Sequence, residues 1–277
     1  MPQSPVSKKS LLFTATFSVI ILVILFCKHY LNSQSFIVFC NVGQGDGAYI
    51  RIDDQIDILV DTGPPNNMML TCLGKYMPFY DRTLEYIVIS HPQSDHAGGL
   101  FESVKRYKIK TLISLSVNEN QAFSKRLKKI LIDHHIQPTL GFKGINLALN
   151  QSKLIFLSPS KNQSDRYAVN VNDLSLVTQL TTPKATVLFT GDASAHVLNS
   201  LKIEQKTRNI ILKVPHHGSK YGLSQKSIML ADPRVAVISA GKNNSYGHPS
   251  HEVLDLLKAN SIKIKRTDEE GDIFYQL

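Results

Sequence analysis

Three side chains that commonly bind metal ions, His91, Asp95 and His96, lie within one short segment of this sequence. They follow an apolar run at residues 86–89 that is typical of a buried strand. Imidazole and carboxylate ligands together suit Zn²⁺ or a similar divalent ion. A loop at a strand end can direct several side chains into one cleft. We therefore predict a metal site here; a polar loop whose histidines are merely hydrogen-bonded or solvated is the alternative.

Four further stretches place ligand-type residues directly after predicted strands. They are Asp61-Thr62-Gly63, Thr190-Gly191-Asp192, Pro215-His216-His217-Gly218-Ser219, and Gly241 to Pro249 with Lys242 and His248 inside it. Each pattern alone is ambiguous, because a Thr-Gly-Asp triplet is often only a turn and a His-His pair often lies on the surface. Five such loops in one domain favour a common site.

The order of these motifs resembles that of the metallo-β-lactamase fold. The turn Asn41-Val42-Gly43-Gln44-Gly45-Asp46 and the stretch from Gly241 to Pro249 make the chain similar to the metallohydrolase domain of ComEC-type DNA-uptake proteins and their stand-alone relatives. The resemblance runs from about residue 36 to the end. It implies an α/β (α+β) fold class, a four-layer αββα sandwich, with the metal site at one edge of two sheets.

The resemblance also implies roles for the residues of the first motifs. Asp95 and His96 would bind one metal ion, Asp192 would bridge two ions, and His91 would belong to the second. His217 matches the late histidine of the family best, with His216 as the close alternative.

Three more positions receive roles from the same resemblance. Asp61 would orient the metal ligands from behind. His248 would be either a ligand or a general acid near the leaving group. Lys242 would contact a phosphate, although a solvated loop lysine is an equal alternative. Together with Asp95, His248 and Lys242 are the catalytic candidates.

Gln93 departs from the family pattern, which usually has His or Asp at this position. A neutral amide oxygen is a poor ligand for Zn²⁺ beside imidazole or carboxylate. No clear histidine between His135 and Asp192 fills the family's middle ligand position, which ComEC-like members often lack. We predict one firmly bound divalent ion, Zn²⁺ or Mn²⁺, and a weaker second ion, for which Mn²⁺ becomes more plausible.

The N-terminal stretch from Leu11 to Cys27 contains no charged residue and approaches the length of a membrane-spanning helix. Lys8 and Lys9 before it, against Lys28 after it, favour a cytoplasmic N-terminus. We expect a cytoplasmic segment at 1–10, a transmembrane signal anchor at 11–30 and an extracytoplasmic domain at 34–277. A cleaved signal peptide and a buried core helix are the alternatives.

The composition fits a globular domain rather than a disordered chain, because 43% of the 277 residues are hydrophobic. The net charge is +9, and because three lysines and no acid lie in residues 1–33, about +6 belongs to the rest. This charge suits nucleic acid or an anionic membrane, and also ordinary solubility.

The three cysteines, Cys27, Cys40 and Cys72, have no zinc-type spacing. Cys40 lies in a predicted core strand, where a free cysteine usually behaves as a small hydrophobic residue. We therefore expect free thiols, with a Cys40–Cys72 disulfide left open.

Periodicity and turn residues predict a β-rich domain with interspersed helices. Helices are expected at Leu70–Tyr80, Leu100–Tyr107, Gln121–His134, Ala193–Leu201 and His251–Asn260. Strands are expected at Ser35–Cys40, Gly47–Ile52, Ile56–Val60, 86–89, Thr111–Ser114, Leu154–Leu157, Ser175–Leu180, Ala185–Phe189, Asn209–Val214, Val235–Ser239, Lys263–Thr267 and Asp272–Tyr275.

The leading hypothesis is metal-assisted hydrolysis of a phosphodiester, with DNA as the substrate. A divalent ion would lower the pKa of water and stabilise charge on phosphoryl oxygens, and His248 or His216 would protonate the leaving oxygen. With one hydrophobic span, the chain would need a separate DNA channel protein. The alternatives are a hydrolase of a small phosphoester, thioester, lactam or lactone, and a degenerate membrane-anchored binding protein, which Gln93 favours.

Overall fold

The computed structural model describes residues 7–31, 34–115, 122–164, 172–205 and 207–277. By its internal contacts the chain divides into two units, residues 1–34 and 35–277. The described part of the first unit is a single helix, α1 (Lys8–Leu31). Within the described residues, no helix combines the length and the hydropathy that crossing a membrane would require.

The described part of the second unit forms two sheets of seven strands each. In spatial order, the first sheet contains β14 (Ile273–Gln276), β1 (Phe36–Phe39), β2 (Gly47–Ile52), β3 (Ile56–Thr62), β4 (Thr83–Val88), β5 (Lys108–Ser114) and β6 (Thr139–Leu140). The second contains β13 (Lys263–Arg266), β12 (Val235–Ile238), β11 (Ile210–Lys213), β10 (Thr186–Phe189), β9 (Val177–Thr181), β8 (Ser152–Ser158) and β7 (Asn146–Leu149).

Both sheets are mixed, with one parallel and one antiparallel half. Strands β3 to β6 run parallel in the first sheet, and β10 to β13 run parallel in the second. The remaining neighbours pair antiparallel. In each parallel half the carboxyl ends of the strands meet at one edge, and the predicted ligand loops follow several of these ends.

Alternation along the strands builds three hydrophobic layers. Ile58 and Val60 of β3 face a core shared with Val187 of β10, whereas Leu59 faces the opposite side of its sheet. On that outer side of the first sheet pack α2 (Met68–Tyr76), α4 (Leu100–Ser103) and α5 (Ala122–Asp133). On the outer side of the second pack α7 (Ala195–Leu198), α8 (Gln225–Ala231) and α9 (His251–Ala259). The predicted αββα sandwich is confirmed.

Three further short α-helices and two 3-10 helices, Asn172–Leu174 and Pro215–Gly218, belong to the described elements. The α-helices are α3 (Ser94–Ala97), α6 (Lys161–Ser164) and α10 (Thr267–Glu270). The first matters most here, because it carries Asp95 and His96.

Most predicted strands are present within one to three residues of their expected bounds. The predicted helices at Leu100–Tyr107 and Ala193–Leu201 are too long, since each spans only four residues in the structure. Helix α8 was not predicted, although Ser224 begins it with a capping box. Strands β6 and β7 were also missed, because both are short and largely exposed.

The expectation of free thiols is wrong for Cys40 and Cys72, which form a disulfide. Cys40 ends the buried run of β1, and Cys72 lies on the buried face of α2. The sheet and its covering helix bring the two residues together across 32 positions of sequence. Sequence spacing alone does not report this proximity, because it depends on how α2 packs on the sheet.

Candidate metal centre

The predicted ligand residues converge at one edge of the sandwich. His91 follows β4, Asp192 follows β10, and His217 lies in a tight turn after β11. Asp95 and His96 lie on the short helix α3 after β4. Because these strands lie in the parallel halves of their sheets, their carboxyl ends deliver the side chains to a common place.

Four of these residues form a compact cluster with ligand atoms within 4.8 Å of one another: Asp95, His96, Asp192 and His217. His96 Nε2 lies 3.1 Å from Asp192 Oδ1, and His217 Nε2 lies 3.9 Å from the same oxygen. Asp95 Oδ2 closes the cluster at 3.3 Å from His217 Nε2. Asp95 is the most solvent-accessible of the four.

The unpaired atoms of this cluster show that it fits a cation. His96 Nε2 and Asp192 Oδ1 are buried, and neither makes a hydrogen bond in spite of their short separation. Buried polar atoms without partners are costly and uncommon. Two imidazole nitrogens and two carboxylate oxygens facing one point are a donor set that suits a tetrahedral divalent ion such as Zn²⁺.

A second group of side chains faces the other oxygen of Asp192. His216 Nε2 lies 3.6 Å and His91 Nε2 lies 3.9 Å from Asp192 Oδ2. Asp192 thus lies near both histidines of the His216–His217 turn, with His217 at one carboxylate oxygen and His216 at the other. That Asp192 bridges two ions stays a prediction.

Gln93 contacts His91 at this second position. Its Oε1 lies 3.1 Å from His91 Nε2, while His91 Nδ1 lies 3.0 Å from Ser90 Oγ. The side-chain amide of Gln93 therefore contacts His91 Nε2, the nitrogen that lies 3.9 Å from Asp192 Oδ2. A weaker second ion beside His91 stays a prediction.

Asp61 lies directly behind His96. Its Oδ2 is 2.9 Å from His96 Nδ1 and accepts from Ser90 Oγ at 2.8 Å, and its Oδ1 accepts from Ser90 N–H at 2.7 Å. A carboxylate at the far nitrogen of a ligand histidine fixes the ring's orientation and leaves Nε2 free for a metal. This is the place expected for Asp61 from the sequence.

His248 and Lys242 lie on the loop from Gly241 to Pro249, at the rim of the centre. The His248 ring is 5.6 Å from the His216 ring and 6.5 Å from the His217 ring. Its Nδ1 is buried and lacks a hydrogen-bond partner. Lys242 is exposed in the same loop.

Sequence reasoning missed two buried residues behind His217. Asp46 Oδ2 pairs with Lys213 Nζ at 2.6 Å, and Asp46 Oδ1 lies 3.1 Å from His217 Nδ1. The signal for Asp46 was present, since it ends the quoted turn Asn41–Asp46. The signal for Lys213 was a lysine at the end of an otherwise apolar strand, immediately before the His216–His217 motif.

A second acidic cluster contains Asp46, Asp61 and His96. Here the Lys213 ammonium already supplies a positive charge to Asp46, and Asp61 is bound to His96 and Ser90. The cluster of Asp95, His96, Asp192 and His217 is therefore the better candidate for a metal ion.

The electrostatics of the centre follow from burial and from the alternation of acids and histidines. Although burial alone would lower it, the carboxylates of Asp46, Asp95 and Asp192 raise the pKa of His217 to about 9. Burial alone would raise the pKa of Asp192, but the nearby His96 and His217 lower it more, so that it lies well below its ordinary value. Burial and nearby His96 lower the pKa of His91. A bound cation would take over the role of the protons on the histidines.

Comparison with known proteins agrees with this arrangement. The family model of the Metallo-beta-lactamase superfamily matches residues 40–118, which include the His91–His96 segment. Two solved structures align over most of the chain: Zn²⁺-bound PqqB from Methylobacterium extorquens, at 8% identity and a TM-score of 0.58, and the metallo-β-lactamase fold protein YhfI from Bacillus subtilis, at 14% and 0.55. They cover 87% and 88% of this chain and 100% of their own.

The chain has the metallo-β-lactamase fold. Among curated proteins, it is 27% identical to ComE operon protein 3 of Bacillus subtilis (strain 168), 25% identical to competence protein ComA of Neisseria gonorrhoeae, and 28% identical to recombination protein 2 of Haemophilus influenzae. These matches cover 98%, 89% and 84% of this chain but 36%, 33% and 28% of the relatives. The chain thus spans about a third of the length of these relatives.

Within the metallo-β-lactamase fold, the resemblance to the ComEC-type group noted from the motifs agrees with these matches. The described structure provides a metallohydrolase-type scaffold with candidate His/Asp metal clusters.

Proposed function

We propose that this chain is a membrane-anchored, metal-dependent phosphodiesterase that acts on DNA. The observation that carries the proposal is the cluster of Asp95, His96, Asp192 and His217 at the edge of a metallo-β-lactamase fold. Its ligand atoms lie within 4.8 Å of one another, and the buried His96 Nε2 and Asp192 Oδ1 have no hydrogen-bond partner. The relatives include a competence protein and a recombination protein, which supports DNA as the substrate.

The residues of the centre have different roles in the proposed hydrolysis. A divalent ion bound at the four-residue cluster would act as a Lewis acid towards a phosphoryl oxygen and water. Asp61 holds the His96 ring in its ligand orientation. His216 and His248 lie at the rim, where their nitrogens can contact the leaving oxygen of the substrate.

The surface beside the rim supports a nucleic-acid substrate. Tyr246 is 70% exposed, and its ring stacks on His248 with centroids 6.0 Å apart. Tyr221, which follows the His216–His217 turn, is 71% exposed, with Lys220 Nζ 5.1 Å from its ring centroid. Exposed aromatic rings stack on bases, and lysines such as Lys220 and Lys242 contact phosphates.

Membrane anchoring and an extracytoplasmic location are part of the same proposal. The uncharged run Leu11–Cys27 and the flanking lysines support an anchor with a cytoplasmic N-terminus. The Cys40–Cys72 disulfide supports an oxidising compartment for the domain, because disulfides are rare in the reducing cytosol. A DNA channel protein is the proposed partner, and the competence protein among the relatives supports it.

One observation favours a second candidate, a metal-binding protein with little catalytic activity. The contact between Gln93 and His91 Nε2 occupies the nitrogen that a second ion would need. If hydrolysis requires two ions, this chain would bind nucleic acid without cleaving it efficiently.

The test uses the full 277-residue chain, purified in detergent and assayed with Zn²⁺ or Mn²⁺ on a labelled DNA oligonucleotide. Metal content is measured on the same sample. The variant Asp95→Ala/Asp192→Ala removes two carboxylates of the cluster, and the control Asp255→Ala removes one exposed carboxylate on α9.

The proposal predicts metal-dependent cleavage that Asp255→Ala retains and the double variant loses. Bound metal with DNA binding but no cleavage would favour the second candidate. Bound metal with hydrolysis of a small ester only would favour a small-molecule hydrolase.

A further inference from the structure

The turn Asn41–Asp46 touches three separate parts of the metal centre, although none of its residues belongs to the four-residue cluster. It follows β1 and is anchored at its start by the Cys40–Cys72 disulfide. It contacts helix α3, the turn that carries His217, and the loop from Gly241 to Pro249, which we call the rim loop.

The backbone of the turn supports the ligand Asp95. Asp46 N–H donates to the Asp95 carbonyl oxygen at 3.1 Å. Gly45 lies against the same carbonyl, with φ at +154°, and a Cβ placed on it would lie only 2.3 Å from that oxygen. Glycine is therefore needed for the close approach of the two backbones.

The side chain of Asp46 lies behind the ligand His217. His217 Nδ1 is hydrogen-bonded to the Ser239 carbonyl oxygen at 3.0 Å, and Asp46 Oδ1 lies 3.1 Å from the same nitrogen without making a hydrogen bond of its own. A carbonyl oxygen only accepts, so the ring proton belongs at Nδ1 beside the Asp46 carboxylate, and Nε2 is left towards Asp95 and Asp192.

Lys213 provides the charge that allows Asp46 to stay ionised in this buried place. Both side chains are about 4–5% exposed, and Lys213 Nζ lies 2.6 Å from Asp46 Oδ2. Lys213 Nζ also donates to the Val214 carbonyl oxygen at 2.9 Å. Asp46 lies in the loop between β1 and β2 of the first sheet, and Lys213 ends β11 of the second sheet. The ion pair therefore also connects the two sheets behind the ligand residues.

The side chain of Gln44 supports the rim loop. Its Oε1 accepts from Gly241 N–H at 2.9 Å. Gly241 starts the loop that carries Lys242 and His248, and within that loop the His248 N–H donates to Asn244 Oδ1 at 3.1 Å. One turn therefore contacts a ligand backbone, a ligand side chain and the rim.

We propose that the Asn41–Asp46 turn and Lys213 form a positioning element of the metal centre, in which Asp46 orients His217 and adds to its strength as a ligand. The inference rests on the proposed metal site, not on the proposed substrate. Residues that support a ligand in this way contribute roughly 10- to 100-fold to metal affinity.

The competing explanation is that Asp46 and Lys213 are only a structural ion pair. Replacing one member would leave a buried unpaired charge and could prevent folding, so paired replacements are needed. Asp46→Leu/Lys213→Met removes both charges and the acceptor oxygen, whereas Asp46→Asn/Lys213→Met removes both charges but keeps an oxygen that can face His217 Nδ1.

The control is an equivalent replacement of another buried ion pair, Arg51→Met/Asp57→Leu. Arg51 Nη1 lies 2.6 Å from Asp57 Oδ2, and both side chains are buried. Arg51 and Asp57 pair near one end of the β2–β3 hairpin, whereas Gly47 and Thr62 pair at the other end, next to the metal centre.

The experiment measures Zn²⁺ and Mn²⁺ affinity by competition with a chromophoric chelator, and the melting temperature of the metal-free protein, for the full chain in detergent. We expect Asp46→Leu/Lys213→Met to bind metal about 10- to 100-fold more weakly than the unmodified chain while melting cooperatively. Asp46→Asn/Lys213→Met should bind more tightly than the leucine variant. The control pair should keep the metal affinity of the unmodified chain.

Equal metal affinity in the leucine variant and the unmodified chain would overturn the inference and leave the phosphodiesterase proposal intact. The inference would also be overturned if the unmodified chain bound neither ion. If the unmodified chain binds metal and the leucine variant loses affinity, but no DNA is cleaved, the inference stands and the proposed function fails.

Discussion

At the scale of single residues, the centre is built with backbone conformations that most residues avoid. Asp61, His216 and His217 all have positive φ, at +58°, +49° and +53°. Such conformations cost about 1–3 kcal/mol each and persist where the surrounding structure enforces them. The left-handed turn at His216 and His217 sends two adjacent side chains to the two different oxygens of Asp192.

This arrangement predicts different consequences for the two histidines. His217→Ala removes a buried member of the four-residue cluster, and we expect metal affinity to fall by about 100-fold or more, since ligands matter at least as much as the groups behind them. His216→Ala removes a half-exposed histidine from the second position and should weaken the first ion far less. Isothermal titration with Zn²⁺ measures both, and equal losses in the two variants would contradict the assignment.

Gln93 provides a second prediction at this scale. Gln93→His replaces the amide oxygen beside His91 with an imidazole, which is a much better Zn²⁺ ligand. We expect the metal content to rise from near one ion towards two ions per chain, measured by inductively coupled plasma mass spectrometry. Gln93→Ala is the control that removes the amide without adding a ligand; the idea fails if histidine and alanine give the same content.

At the scale of elements, short segments at strand ends position most of the candidate metal-ligand residues. Helix α3 has only four residues, yet it carries Asp95 and His96 and is braced by the Asn41–Asp46 turn. Helix α2 matters for the same turn, because its Cys72 holds Cys40 at the turn's beginning.

The disulfide is expected to stabilise the domain substantially. It closes a sequence separation of 32 residues, for which the loss of chain entropy in the unfolded state corresponds to roughly 3–4 kcal/mol. Cys40→Ala/Cys72→Ala should therefore lower the free energy of unfolding by about that amount, measured by urea denaturation. Treating the unmodified chain with reductant should produce a similar loss, and an unchanged midpoint in both would contradict the prediction.

At the scale of the whole molecule, charge and exposed aromatic rings distinguish a nucleic-acid substrate from a small ester. The chain outside residues 1–33 carries about +6. Two exposed rings accompany this charge: Tyr246 stacks on His248, and Tyr221 follows the His216–His217 turn in sequence. Phosphate contacts release counterions from DNA, so binding that depends on them weakens as salt rises.

We therefore expect kcat/KM for a DNA oligonucleotide to fall steeply between about 50 and 200 mM salt. Hydrolysis of bis(p-nitrophenyl) phosphate should change little over the same range. Tyr246→Ala should raise KM for the oligonucleotide, at a cost of about 1–3 kcal/mol per stacked base, and leave the small ester unaffected. The control Phe79→Ala removes another exposed ring, in the loop after α2. Parallel losses for both substrates would contradict a stacking role.

Much of the fold followed from local patterns. Strands such as β2 and β3 are short, largely apolar runs bounded by turn residues, so the type and approximate order of the elements could be predicted from the sequence. The motif order from His91 to His217 resembles that of the metallo-β-lactamase fold, and this resemblance implied the sandwich with the metal site at one edge of the two sheets.

The tertiary structure alone decided which distant residues meet behind those ligands. Asp46 and Lys213 are 167 positions apart and come from different sheets, and Cys40 and Cys72 meet only because α2 packs on β1's sheet. The choice between His216 and His217 depends on a left-handed turn that no periodicity records. Periodicity reports which face of an element is buried, whereas the partner across an interface is set by how two elements pack, and that information is not local to either segment.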